Sequence, residues 1–115
     1  MKDNKIKGNL GEDLACLYLI ENGYNILERN LTFKFGEVDV VAIKNSILTF
    51  IEVKSRSSLN FGLPSEAVDL KKITKITKVA KAYISNTSLD YTEISFDVIE
   101  VYLNENKVNH IERAF

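Results

Sequence analysis

Apolar residues recur with two different periods along this chain, and the changes of period mark its elements. Residues 14–20 are apolar nearly all round, which predicts a well-buried helix. Asn9 can cap it, with Glu12 at the third position as in a capping box, and Gly23 is its natural stop. The helix is therefore expected over residues 9–22, after a polar stretch 1–7 that should fray. Residues 24–31 alternate as a strand, and 32–35 read as a loop carrying aromatics. The run from Gly36 to Arg56, GEVDVVAIKNSILTFIEVKSR, reads as two Val- and Ile-rich strands meeting at a tight turn. A polar loop, 55–63, separates them from Pro64, which suits the first turn of a helix over about 65–84. Ile73, Ile76, Ala80 and Tyr83 mark that helix's core side. Residues 94–102 form a strand, 104–106 a turn and 107–111 a last short strand.

The order is helix, three strands, helix, strand, strand. Short turns make the first three strands an antiparallel meander. The long helix is a crossover, and a parallel strand after it makes a right-handed unit. The expected fold is a single α/β domain with helices covering a mixed central sheet.

The turn places particular charges. If Asn45 and Ser46 are the two loop residues of a hairpin, Lys44 faces Ile47. Counting back sets Asp39 opposite Glu52 and Glu37 opposite Lys54. Like charges across a ladder repel, so one carboxyl keeps a proton or a cation sits between the two. A hard divalent ion such as Mg²⁺ or Mn²⁺ suits such oxygen ligands. Asp, twelve residues, then Glu-x-Lys is the spacing of a divalent-metal phosphodiesterase centre. Asp39 and Glu52 would hold the ion, with the Val53 carbonyl as a further ligand, and Lys54 would steady developing negative charge. The plainer reading makes these three solvated strand residues, but charges in strands otherwise apolar on both faces are rarely accidental. Glu12 is open between a capping-box residue and a further acid at the site.

Composition narrows the setting. At 45% hydrophobic and 27% charged, the chain belongs with ordinary globular proteins, not disordered ones. The single cysteine, Cys16, lies in an apolar run and reads as a buried small hydrophobe. One cysteine forbids an internal disulfide, which fits a reducing cytoplasm. No run reaches membrane-spanning length and no signal peptide precedes the first helix. The net charge of −1 announces no nucleic-acid partner, but its distribution does. Lys71, Lys72, Lys75, Lys78 and Lys81 occupy one helix with no acid between Asp69 and Asp90. Such a stripe is ordinarily a solvated face. Here it is a basic patch in an otherwise acidic chain, and it suits a phosphate backbone. Arg56 extends that positive rim towards the acids. Phe33, Phe35 and Phe61 flank the site, to stack on bases or to pack beneath loops. His110, the only histidine, lies among polar residues near the chain end and reads as a surface residue.

The chain also resembles a known family, the small uncharacterised bacterial YraN-like proteins. The resemblance rests on Gly8, Gly11, Glu12 and Ala15, Gly23-Tyr24, Arg29-Asn30 and Gly36-Glu37-Val38-Asp39. It continues through residues 50–56 (FIEVKSR), Phe61-Gly62-x-Pro64, Ala67-Val68, Lys71, Phe96-Asp97-Val98 and Ala114-Phe115. That family is similar to archaeal Holliday-junction resolvases and to the restriction-endonuclease-like nucleases, whose core order is the one read above. The resemblance implies a restriction-endonuclease-like fold and metal-dependent hydrolysis of DNA phosphodiester bonds, branched DNA included. It maps the first acid onto Asp39, the Glu-x-Lys onto Glu52 and Lys54, and a helix acid onto Glu12. Val38 stands where the superfamily often has proline. Because junction resolvases commonly act as dimers, it also implies a homodimer.

Three functions follow as expectations. The first is an Mg²⁺- or Mn²⁺-dependent endonuclease. The second is a nucleic-acid-binding module with a nuclease-like fold and no useful catalysis. The third is a protein-interaction subunit docking through edge strands or loop aromatics.

Overall fold

The computed structural model describes residues 2–56 and 70–115, with side chains of the first helix from residue 10 onward. Its elements are α1 (Lys2–Glu21), β1 (Asn25–Phe33), β2 (Gly36–Lys44), β3 (Ile47–Arg56), α2 (Leu70–Ser85), β4 (Glu93–Tyr102) and β5 (Lys107–Ile111). The five strands form one mixed sheet in the order β1-β2-β3-β4-β5. Pairing is antiparallel except between β3 and β4, which run parallel and are joined through α2. The expected α/β class, element order and mixed sheet all hold. Phe61, Pro64 and the helix start expected at residue 65 lie outside the described residues.

The helices cover opposite faces. Ala15, Cys16 and Leu19 of α1 pack on Val40, Ala42, Ile51, Ile99 and Val101. Ile76, Val79, Ala80 and Tyr83 of α2 pack on Val38, Val41, Leu48 and Phe50. Ile73, expected in that core, is half-buried and Val79 takes the central place. Strands buried on both faces need the near-continuous apolar runs that β2 and β3 carry.

Three expectations are corrected. The first helix starts at Lys2, not at Asn9, so Asn9 and Glu12 are interior helical residues and no capping box forms. No proline interrupts residues 2–21, and the helix carries Gly8 and Gly11 within it. Nor is its apolar middle buried all round. Leu17 and Ile20 are 54% and 57% exposed, because among the described residues no layer covers the outer side of α1. Third, β1 runs on through Phe33, so the expected four-residue loop shrinks to the two-residue turn Lys34-Phe35. Phe33 and Phe35 stack on each other with centroids 5.7 Å apart.

The helix stop falls as expected. Gly23 has φ 89°, and the amides of Gly23 and Tyr24 donate to the carbonyls of Ile20 and Leu19, the paired bonds of a Schellman cap. The β2–β3 hairpin has the expected register, Lys44 opposite Ile47 and Val40 opposite Ile51. Asn45 and Ser46 both have positive φ, 51° and 63°, as a type I′ turn requires.

Candidate metal centre and nucleic-acid interface

The β1–β2 ribbon turns over near its middle. Val38 packs under α2 while Val40 packs under α1, although residues two apart on a regular strand share a face. On the neighbouring strand Asn30, at φ 53°, lies between Arg29, paired with Val40, and Leu31, paired with Val38. The β2–β3 ladder ends at Val40 and Ile51, one step short of Asp39 and Glu52. There a side chain replaces the ladder: the Val53 amide donates to Asp39 Oδ2 at 2.8 Å.

Asp39 and Glu52 are therefore neighbours, as the register implied. The two carboxyl groups lie close enough for each to act on the other's charge. Glu52 is buried and Asp39 half-buried. Burial first, then the adjoining Glu52 carboxyl, push the Asp39 carboxyl up to about 8. Burial beside a second acid thus disfavours the ionised form of Asp39.

The other expected residues divide. Lys54 follows Glu52 on the same side of β3 by alternation, and its register partner on β4 is Glu100. Glu37 does not meet Lys54. It pairs across β1–β2 with Thr32, whose hydroxyl donates to Glu37 Oε2 at 3.2 Å. Glu12 is buried on α1 and adds to the negative field at Asp39. Its Oε1 accepts from Arg29 Nε at 3.1 Å and from Asn30 Nδ2 at 2.9 Å, so it ties the helix to the turnover point. Arg56 is held by Glu100, Nε to Oε2 at 3.2 Å, with a quarter of its side chain exposed.

Lysines 71, 72, 75 and 78 are all exposed along α2. Lys72 forms an ion pair with Glu52. Lys71, Lys72 and Lys75 line a groove of about 430 Å³ with Gly36, Glu37 and Ile76. A Cβ on Gly36 would lie 3.2 Å from Lys75 Cβ, so glycine there lets the hairpin end approach α2 closely.

Two buried acids to which the sequence assigns no role lie on β4. Glu100 is 1% exposed and also accepts from Tyr102 Oη at 3.1 Å and Asn109 Nδ2 at 2.9 Å. Asp97 is equally buried and pairs with His110, Nε2 to Oδ2 at 2.7 Å. Burial opposes its charge, but bonds from His110, Ser95 and the Arg113 amide outweigh that and hold the carboxyl below the usual range. His110 is thus not a surface residue, its side chain being 7% exposed. The signal was present. Asp97 and Glu100 interrupt the apolar strand EISFDVIEVY as Asp39 and Glu52 interrupt theirs. Cys16 is a buried free thiol as expected, and burial pushes it up. No helix of the described residues is long and apolar enough to cross a membrane.

Residues 11–101 match the model of the Uncharacterised protein family UPF0102. A UPF0102 protein of Clostridioides difficile is 50% identical over 113 residues, covering 98% of this chain and 99% of its own. One of Caldanaerobacter subterraneus subsp. tengcongensis is 48% identical, covering 98% and 97% respectively. One of Syntrophomonas wolfei subsp. wolfei is 44% identical, covering 97% and 99%. Similarity of this degree along nearly the whole length, over the strands that carry Asp39, Glu52 and Lys54, makes the chain a member of the UPF0102 family.

Proposed function

We propose that this protein is a metal-dependent endonuclease acting on DNA, branched DNA included, built on a restriction-endonuclease-like sheet. The observation that carries the reading is the carboxyl pair Asp39–Glu52 at the end of the β2–β3 ribbon, where burial and the neighbouring acid disfavour the charge of Asp39. The donor set fits a hard divalent cation: two carboxylates and the neighbouring Val53 carbonyl, all oxygen, from the two strands of one hairpin. A cation is already accommodated on Glu52, in the form of the Lys72 ammonium. Mg²⁺ or Mn²⁺ held by Asp39, Glu52 and Val53 would supply charge neutralisation at the phosphoryl oxygens and acidify a bound water.

The chain's own residues do the rest. Asp39, raised to about 8, must give up its proton to become a ligand, and the charge of the arriving cation is what would favour that loss near neutrality. The Val53 amide keeps the Asp39 carboxylate aimed at Glu52. Lys54 contributes a fixed positive charge beside the acids for the phosphoryl group. Glu12 acts from α1 through the Arg29–Asn30 network and as a nearby negative charge. Lys71, Lys72, Lys75 and Lys78 with Arg56 hold the backbone as it crosses the groove.

The test is incubation of the pure protein with Mg²⁺ or Mn²⁺ and branched, flapped and linear DNA. Cleavage is expected, reduced on the order of 100-fold or more by Asp39→Ala or Lys54→Ala. Absence of cleavage on every substrate, or variants cutting as well as wild type, ends this reading.

A second reading has its own observation, the Lys72–Glu52 ion pair, which already neutralises one acid without a metal. On that reading the protein binds nucleic acid and does not cut it. Binding would then be indifferent to divalent ions and would survive Glu52→Ala.

A further inference from the structure

On the α1 face of β4, three residues outside the nuclease centre converge. One donor atom from each of Asp97, His110 and Glu112 lies within 4.8 Å of the other two. Their sequence spacing hides this, because Asp97 is on β4, His110 on β5 and Glu112 just beyond it.

The two buried members are each gripped from behind. Asp97 Oδ1 accepts from Ser95 Oγ at 2.5 Å and from the Arg113 amide at 3.1 Å, which leaves Oδ2 for His110 Nε2 at 2.7 Å. The far ring nitrogen, Nδ1, meets the Tyr18 hydroxyl at 3.0 Å, and the Tyr18 ring stands edge-on to the imidazole. An imidazole and a carboxylate each oriented through the atom that does not face the centre is the outer-shell arrangement of metal ligands. Serine bonds the aspartate here and not the histidine, so the group is no nucleophilic triad.

Glu112 needs a different account. It is exposed and adds a second negative charge beside Asp97, yet it makes no hydrogen bond or salt bridge among the described residues. The nearby cations are turned elsewhere. The Arg113 guanidinium lies 2.7 Å from Glu93, and Lys44 Nζ sits over the Tyr24 ring at 5.3 Å. Asp97 and Glu112 both line a cavity of about 170 Å³, which has room for water.

We propose that Asp97, His110 and Glu112 bind a transition cation of the zinc class, with water from the cavity completing a tetrahedral shell. One imidazole and two carboxylates suit Zn²⁺, whereas Mg²⁺ takes oxygen ligands. Binding requires the ring proton on Nδ1, where it is donated to the Tyr18 oxygen while Nε2 gives its lone pair to the ion. The cation would pin β5 and the residues after it to β4, and through Tyr18 would couple that edge to α1. It would be separate from the ion proposed at Asp39 and Glu52.

The experiment is equilibrium dialysis of the full chain, stripped with chelator, against Zn²⁺ alone. One zinc per chain is expected, retained in millimolar Mg²⁺ and retained in the double variant Asp39→Asn, Glu52→Gln. Glu112→Gln changes an exposed side chain and keeps the fold. It should weaken zinc binding at least about tenfold, and Tyr18→Phe should do so by about tenfold through the ring. Zinc should raise the melting temperature of wild type more than that of Glu112→Gln. A wild type that binds no zinc overturns the proposal. So does a Glu112→Gln variant that binds zinc as tightly as wild type, or loss of zinc in the Asp39, Glu52 double variant.

Discussion

At the scale of single residues, Asp39 is where sequence and chemistry meet. Its carboxyl is raised from 3.8 to about 8, chiefly by burial and by Glu52. The folded state therefore holds a proton that the unfolded chain has released across that interval. Stability is then lost, not gained, as pH rises from 3.8 towards about 8. Asp39→Asn removes the liability, so in chelator its melting temperature should exceed that of wild type at pH 8 and converge with it near pH 4. Equal melting temperatures at both ends would mean that Asp39 is not held protonated. If the pair holds a divalent ion as proposed, added Mn²⁺ should narrow the difference by stabilising the ionised wild type and not the amide.

Among the elements, α1 is fitted to β3 at one point with no clearance. A Cβ built on Gly11 would fall 1.8 Å from Ser55 Oγ. Ser55 follows Lys54, so the contact fixes how the helix bearing Glu12 sits over the strand bearing the Glu-x-Lys. Gly11→Ala gains helix propensity but forces the hydroxyl or the helix to move, and overpacking of this kind costs about 1–3 kcal/mol. Urea unfolding should show that loss in Gly11→Ala. Its partial relief in Gly11→Ala with Ser55→Ala would locate the cause in that pair. The start of the first helix lies beyond the reach of a local pattern. Asn9 and Glu12 have the spacing of a cap, but Glu12 is used across the gap to Arg29 and Asn30, where a one-dimensional pattern has no view.

For the whole molecule, legibility followed the range of the determinant. The hairpin register could be read because a two-residue turn sets pairing locally, and Asp39 and Glu52 came with it. The ribbon's turnover could not, since it depends on Asn30 adopting a left-handed backbone opposite a particular stretch of β2. Asp97 and His110 needed the β4–β5 ladder to meet. The charge asymmetry, by contrast, was plain in the sequence, and the exposed lysines of α2 keep it. If they hold a phosphate backbone, replacing Lys71, Lys75 and Lys78 with Gln should lower the slope of log affinity against log salt by roughly 0.9 per lysine. An unchanged slope would place the DNA elsewhere. The carboxyl pair and its counter-charge also arrive from different distances along the chain. Asp39 and Glu52 are brought together within one ribbon, whereas Lys72 comes from beyond it, on the crossover to β4. Local hairpins close in microseconds, well before parallel pairing through a long crossover. The repulsion is thus met early, with its remedy still in solvent. Refolding of Asp39→Asn near neutral pH should outpace that of wild type in stopped-flow mixing, and mild acid should erase the difference.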